Sequence, residues 1–226
     1  HIAIAGIEKI IPKLEDLDLY WPLLAAHGTG QSMTVYNSII SGPRKNSEID
    51  GPENMYLILL DNGRVNLLKE EKQRQALSCI RCGACLNACP VYKNIGGHTY
   101  NTTYSGPIGS VITPYLAGEK KYKHLSFASS LCGKCTTVCP VKIPLHELLL
   151  INRNHAVKKG YTTFFEKQTN NISSKVLGSR KLLDLFSGKT KNALMNLSVA
   201  GIWGPRRDLP KIAPKSFNQL WKEKEK

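Results

Sequence analysis

The sequence predicts an α+β chain in three parts: an α/β segment, a helical segment organised around cysteines, and a basic C-terminal segment. Three observations predict it. Strand-like apolar runs and a helix-like stretch lie before residue 64. All seven cysteines fall in two runs between Cys79 and Cys139. The net charge of +14 is uneven: residues 1–150 hold 15 Lys/Arg against 12 Asp/Glu, whereas residues 151–226 hold 16 against 5.

In the first part, His1-Ile-Ala-Ile-Ala-Gly-Ile7 is short, apolar and Ile-rich, which predicts a buried strand. Pro12 opens a helix with Leu14, Leu17 and Leu24 toward a core. Met33–Ile40 alternates as a strand does. Asn54–Leu60 is a second, stronger strand, closed by the turn signal Asp61-Asn-Gly63. Strand, helix, strand, strand fits the last part of an α/β sheet, but these elements are too few to cover both of its faces. Together with a start that lacks Met, this suggests that preceding sequence belongs with it. Gly28 and Gly30 with Gln31, and Gly42 with Arg44, offer backbone amides to an anion. Such loops are more often only turns.

The second part is set by its cysteines. Cys79-Ile-Arg-Cys-Gly-Ala-Cys-Leu-Asn-Ala-Cys-Pro90 has the C-x2-C-x2-C-x3-C-P spacing of bacterial ferredoxins. In that arrangement three thiolates hold one iron–sulfur cluster and the fourth reaches to another. The partner run is Cys132-Gly-Lys-Cys-Thr-Thr-Val-Cys-Pro140. Thiolate is the soft ligand such clusters demand. The crossed arrangement assigns Cys79, Cys82, Cys85 and Cys139 to cluster 1, and Cys89, Cys132 and Cys135 to cluster 2. The proline after each final cysteine turns the chain away from the site.

Cluster 2 is one sulfur short. A full second run would carry cysteine at position 129, where this chain has Ser129. Three outcomes stay open: a three-iron cluster, completion by Ser129, Ser130 or another oxygen or nitrogen donor, or completion by an exogenous ligand or a partner subunit. The favoured reading is two [4Fe–4S] clusters, the second with a non-cysteine fourth site, and [3Fe–4S] is its alternative. Zinc is the rival metal. Four cysteines in eleven residues, with two Cys-Pro units, argue against it. His98, between the runs, is the histidine to test as a ligand. His124, His146 and His155 have surface or capping readings.

Around the cysteines, Glu70–Leu77 predicts a charged helix, and the turn Ser105–Gly109 leads into a short helix to Leu116. Pro144–Lys159 predicts a helix with Leu145, Leu148, Leu149 and Asn152 on one face, stopped by Gly160. The pattern helix–cluster–loop–helix–cluster–helix is that of a helical ferredoxin. The boundaries that follow are 1–63, 64–160 and 161–226. In the third part, Tyr161–Asn171 and Lys181–Ala200 have helical character. The end spreads Pro, Trp and Phe among bases.

A basic tail favours an acidic partner protein, anionic lipid or nucleic acid, and serves equally as a solvated tail. It has little aromatic interleaving, so no nucleic-acid partner is expected. No apolar run approaches the ~20 residues of a membrane span, which leaves room only for peripheral membrane association. No signal peptide is evident, and an odd cysteine count in close pairs points to a reducing, cytoplasmic setting. The chain shows no Ser/His/Asp set, carboxylate pair or nucleotide-binding glycine fingerprint, hence no self-contained catalytic site. Its chemistry is electron transfer.

These residues resemble the lactate-utilisation protein B family. The resemblance rests on the first run with Val91-Tyr92, on Gly96-Gly-His98, on Ser105–Gly109, and on Ser129-Ser-Leu-Cys through Ile143-Pro-Leu145. It extends to Gly6-Ile-Glu-Lys9, Ser41–Arg44, Asp50–Pro52, Leu60–Arg64, and Trp203 with Arg207, Leu209-Pro210 and Ser216-Phe217…Trp221. It implies that residues 1–63 are the end of a LUD domain, a CoA-transferase-like α/β fold, and that a dicluster ferredoxin follows. It also implies an electron-transfer subunit that oxidises L-lactate to pyruvate with companion lactate-utilisation subunits. The family too assigns seven cysteines to two four-iron clusters. The alternatives are an iron–sulfur subunit of a glycolate, succinate or heterodisulfide oxidoreductase and, ranked lower, a nucleic-acid-binding cluster protein.

Overall fold

The computed structural model describes residues 1–204 and 208–225; Arg207, quoted above for the resemblance, lies outside the described residues. The chain forms two compact units, His1–Tyr161 and Thr162–Lys226.

The first unit opens with strand β1 (Ile2–Gly6), helix α1 (Leu17–Gly28) and strand β2 (Tyr56–Leu60). The strands pair in parallel, from Ile2 with Tyr56 to Gly6 with Leu60. Parallel neighbours require a long crossover, and α1 with the irregular segment after it supplies one. Both strands fall where the apolar runs place them, but β1 is not buried. Ile2 and Ile4 are exposed, as is every residue of β2. Within the described residues no layer covers this sheet, so its apolar side chains have nothing to pack against. Met33–Ile40 is not a strand: it is irregular, and Val35, Tyr36 and Ile39 are exposed. Alternation makes a strand only where the segment pairs with another, and this one pairs with neither β1 nor β2. On α1 the buried residue is Ala25, whereas Leu14 lies in a preceding 3₁₀ turn and is exposed.

Next come α2 (Arg64–Lys69), α3 (Ala84–Ala88), α4 (Pro90–Ile95), α5 (Gly106–Ala117), α6 (Glu119–Phe127), α7 (Lys134–Thr137) and α8 (Leu145–Lys158). The expected α-helix at 70–77 is instead a 3₁₀ stretch, Gln73–Ser78. Its tight turns deliver the chain into Cys79.

The core of the unit is α5 against α8. Every residue from Gly106 to Pro114 is buried. Leu145, Leu148, Leu149, Asn152 and Ala156 form the inner stripe of α8, at the spacing of one helix face. Leu67 of α2 is fully buried with them, and α6 packs on both α5 and α8.

A polar cluster threads this core. Gln73 donates to the Asn152 side chain and to the Leu148 carbonyl at 3.1 Å. Asn152 in turn donates to the Val111 carbonyl at 3.0 Å and to Ser126 Oγ at 3.2 Å. Ser126 Oγ donates to the Ser110 carbonyl at 3.0 Å. Most buried polar groups are hydrogen-bonded; in this cluster Gln73 Oε1 is the buried side-chain atom without a partner.

The second unit holds α9 (Phe164–Gly178), α10 (Arg180–Asp184), α11 (Gly188–Ser198), α12 (Ala200–Trp203) and α13 (Phe217–Lys224). Thr163 and Ser216 start α9 and α13 with capping boxes. Among its described residues only Gly188 is buried, so local capping, more than a core, shapes these helices.

Candidate metal centre

The two cysteine runs fold alike. In the first, Arg81 and Gly83 take left-handed φ of 63° and 79°, and α3 follows with Cys85 in its first turn. In the second, Leu131 and Gly133 take 54° and 76°, and α7 follows with Cys135. Gly suits this conformation, which costs other residues roughly 1–2 kcal/mol. Arg81 is held there by its guanidinium, 4.1 Å from the centre of the Tyr104 ring. The pairs of left-handed residues curl each loop tightly between its cysteines. Helices α3 and α7 pack directly against each other, which brings the two runs together.

Pro90 is the first residue of α4, and Cys89 caps that helix, its Sγ accepting from the Tyr92 amide at 3.5 Å. Cys139 Sγ accepts from the Ile143 amide at 3.4 Å. No helix starts at Pro140; a turn leads instead to α8.

Cys79, Cys82, Cys85 and Cys139 line one cavity of about 200 Å³. The rest of its wall is largely apolar, with Ile80, Leu86, Ile108, Val141, Ile143 and Leu145. Four soft sulfur donors in an apolar wall fit an iron–sulfur cluster far better than a hydrated hard cation. Among the described residues, no group of three or more His, Cys, Asp or Glu side chains is drawn together around a single metal ion.

The thiols differ in setting. Burial pushes the Cys85 thiol up to about 12, and the neighbouring Cys79, Cys135 and Cys82 push the same way, against the Ile108 amide. Cys135 is also raised, first by burial and then by Cys89 and Cys132. Cys132 alone is exposed, and its thiol is lowered, chiefly by the Lys134 amide and then by the Ser130 hydroxyl.

A cationic frame surrounds the first set. Glu8 and Arg64 form an ion pair at 2.6 Å with both side chains 6% exposed. Arg64 also donates to the Asp61 carbonyl at 3.1 Å and to Tyr104 Oη at 3.4 Å. The other Glu8 oxygen lies 4.0 Å from Arg81, and Lys9 Nζ donates to the Cys79 carbonyl. The α/β segment is thereby tied to the first cysteine loop. Sequence reasoning assigned Lys9, Glu8, Arg64 and Arg81 no role. Their signals were Gly6-Ile-Glu-Lys9, Leu60–Arg64 and, for Arg81, the first cysteine run, all among the motifs of resemblance.

His98 lines a larger, more open cleft of about 710 Å³ rather than the cysteine cavity, although both share Thr103, Tyr104 and Ser105. His146 Nδ1 is 2.7 Å from Thr136 Oγ1, next to Cys135, and His155 Nδ1 is 3.2 Å from Tyr115 Oη. Both histidines stand on α8 and are engaged there. Ser129 Oγ accepts from the Leu131 amide at 3.2 Å.

Two family models match the chain: the LUD domain over residues 1–60 and the 4Fe-4S dicluster domain over residues 75–143. Among curated proteins, the chain is similar to lactate utilization protein B from Bacillus cytotoxicus, at 42% identity over 237 residues. The proteins of that name from Bacillus pumilus and Bacillus cereus are 41% identical over 240 and 237 residues. Each match covers 100% of this chain and 50% of the relative, so the chain spans about half the length of the curated relatives it matches. No solved structure matches it. Among the described residues no helix is long and apolar enough to cross a membrane. The chain is thus an α+β polypeptide that joins LUD-domain sequence to a 4Fe-4S dicluster domain, and it is similar over its whole length to lactate utilization protein B.

Proposed function

We propose that this chain is the electron-transfer portion of an L-lactate-oxidising assembly, working with companion lactate-utilisation subunits in the cytoplasm. It would hold two [4Fe–4S] clusters, one on Cys79, Cys82, Cys85 and Cys139 and one on Cys89, Cys132 and Cys135. The observation that carries this reading is the apolar cavity lined by four cysteines drawn from both runs. The whole-length similarity to lactate utilization protein B supports the substrate.

When bound, such clusters accept and release single electrons at potentials set by charge, hydrogen bonds to sulfur and solvent exposure. This chain supplies all three levers. The amides of Tyr92 and Ile143 donate to sulfur, Lys9 and Arg81 stand beside the first set, and the wall of that set's cavity is largely apolar. The exposed Cys132 makes the second set the one open to a redox partner.

Protein prepared anaerobically should be brown and hold about eight irons per chain, with absorbance that bleaches on reduction. L-lactate should bleach it only when the companion subunits are present. Colourless, zinc-loaded protein would reject the clusters, and bleaching by glycolate or succinate in place of lactate would reject the substrate.

A further inference from the structure

One side chain of the α/β segment reaches the first cysteine loop. Strand β1 ends at Gly6, and a 3₁₀ turn over Ile7–Lys9 follows it. The last residue of that turn crosses to the loop, where Lys9 Nζ donates to the Cys79 carbonyl, 70 positions along the chain. Cys79 lines the cavity of the first set.

The turn is built for this reach. Glu8 folds back onto Arg64, and the pair is almost fully buried. Gly6 makes the room: a Cβ there would strike the Glu8 carboxylate and lie 2.8 Å from Arg64 Nε. Glu8, Arg64, Arg81 and Cys79 all border one small void. Anchoring Glu8 fixes the residue next to it, so Lys9 is held at the loop although it is itself exposed.

The charges of this cluster do not cancel. One carboxylate, Glu8, faces the cations of Arg64 and Arg81, with Lys9 alongside. Net positive charge is left beside the cavity. The second loop is served from elsewhere. The Ser129 carbonyl, 50 residues on from that of Cys79, accepts from Arg153 Nη2 at 2.9 Å, and Arg153 stands on α8 of the helical segment.

We propose that Lys9 sets the potential of the first centre: through this one side chain the α/β segment raises that centre's reduction potential and leaves the second centre's alone. This rests on the two-cluster reading above. A thiolate-held centre that takes up one electron and no proton gains one negative charge. An ammonium bonded to the peptide of one of its ligands stabilises that added charge, and so favours the reduced form. Lys9 acts through Cys79 and is a positioning residue. Any event that draws the Gly6–Lys9 turn away from the loop makes the first centre harder to reduce.

The test is potentiometry of the anaerobically loaded protein, with both centres followed by EPR. Iron analysis comes first: a parent protein with far fewer than about eight irons per chain overturns the two-cluster reading, and this proposal with it. At full load, Lys9→Met should lower one midpoint by about tenfold in the reduction equilibrium, about 59 mV for one electron, and leave the other in place. Lys9→Gln keeps a donor for the Cys79 carbonyl but no charge, and should lower the same midpoint. Lys9→Arg should restore it. Unmoved midpoints in Lys9→Met and Lys9→Gln overturn the proposal alone, even where urea unfolding shows lost stability, since a merely structural lysine would behave so. Equal shifts of both midpoints overturn it too, as does a midpoint in Lys9→Arg as low as in Lys9→Met. A fall of that same midpoint in Arg153→Met, whose cation belongs to the second loop, overturns the selectivity. If Lys9→Met fails to load, the comparison of Lys9→Gln with Lys9→Arg still decides.

Discussion

Replacing Arg64 with Met should destabilise the first unit severely. Arg64 and Glu8 meet at 2.6 Å with both side chains 6% exposed, so removing the guanidinium strands a carboxylate out of water. Breaking a buried pair from one side costs about 3–5 kcal/mol. Arg81 remains 4.0 Å from the other carboxylate oxygen, which places the expected loss near the lower end, about 3 kcal/mol. At 1.4 kcal/mol per tenfold, that is roughly a hundredfold in the folding equilibrium. The assay is urea unfolding followed by circular dichroism, with the Glu8→Gln/Arg64→Met double variant alongside. Removing both charges of a buried pair is often close to neutral, so the double variant should recover part of the loss, about 1 kcal/mol. It should not recover the bonds from Arg64 to the Asp61 carbonyl and Tyr104, worth about 1 kcal/mol each. A single variant within about 1 kcal/mol of the parent, or a double variant no more stable than the single, would refute the reasoning.

Further outcomes follow from the same contacts. Cys85→Ser should cut bound iron by about half, by emptying one cluster and sparing the other, as measured by iron analysis of anaerobically loaded protein. Asn152→Ala should cost at least about 2 kcal/mol in the same unfolding assay, because it leaves the Gln73 amide and the Val111 carbonyl short of a partner inside the core. Gly109→Ala should destabilise by about 1–3 kcal/mol or more, since a Cβ there would lie 2.0 Å from the Tyr104 carbonyl oxygen on the wall of the cysteine cavity. Lys159→Met is the contrasting case: its bond to Glu119 is solvent-exposed, so the loss should stay under about 1 kcal/mol and shrink with salt.

Local spacing made the chemistry readable. Ligand spacing is a property of a dozen consecutive residues, so the cysteine runs could be interpreted without a fold. The same holds for α8, where Leu145, Leu148, Leu149 and Asn152 fall on one face by helical period alone, and Asn152 is indeed buried there. Strand β2 and the turn at Asn62-Gly63 were likewise local signals. Met33–Ile40 failed for the opposite reason. Its alternation was real, but a strand exists only through a neighbour, and none pairs with it. The exposure of β1 was illegible in the same way, because apolar character says what a side chain prefers and not what lies over it.

By itself the sequence determined which metal chemistry this protein can perform, since sulfur type and spacing are covalent facts carried along the chain. Only the tertiary structure decided which groups meet: Lys9 on the Cys79 carbonyl, Glu8 against Arg64, Cys139 in the cavity of the first run, and Cys132 left at the surface. The physical reason is that burial, ion pairing and exposure depend on what packs nearby, and those neighbours come from residues up to 79 positions apart.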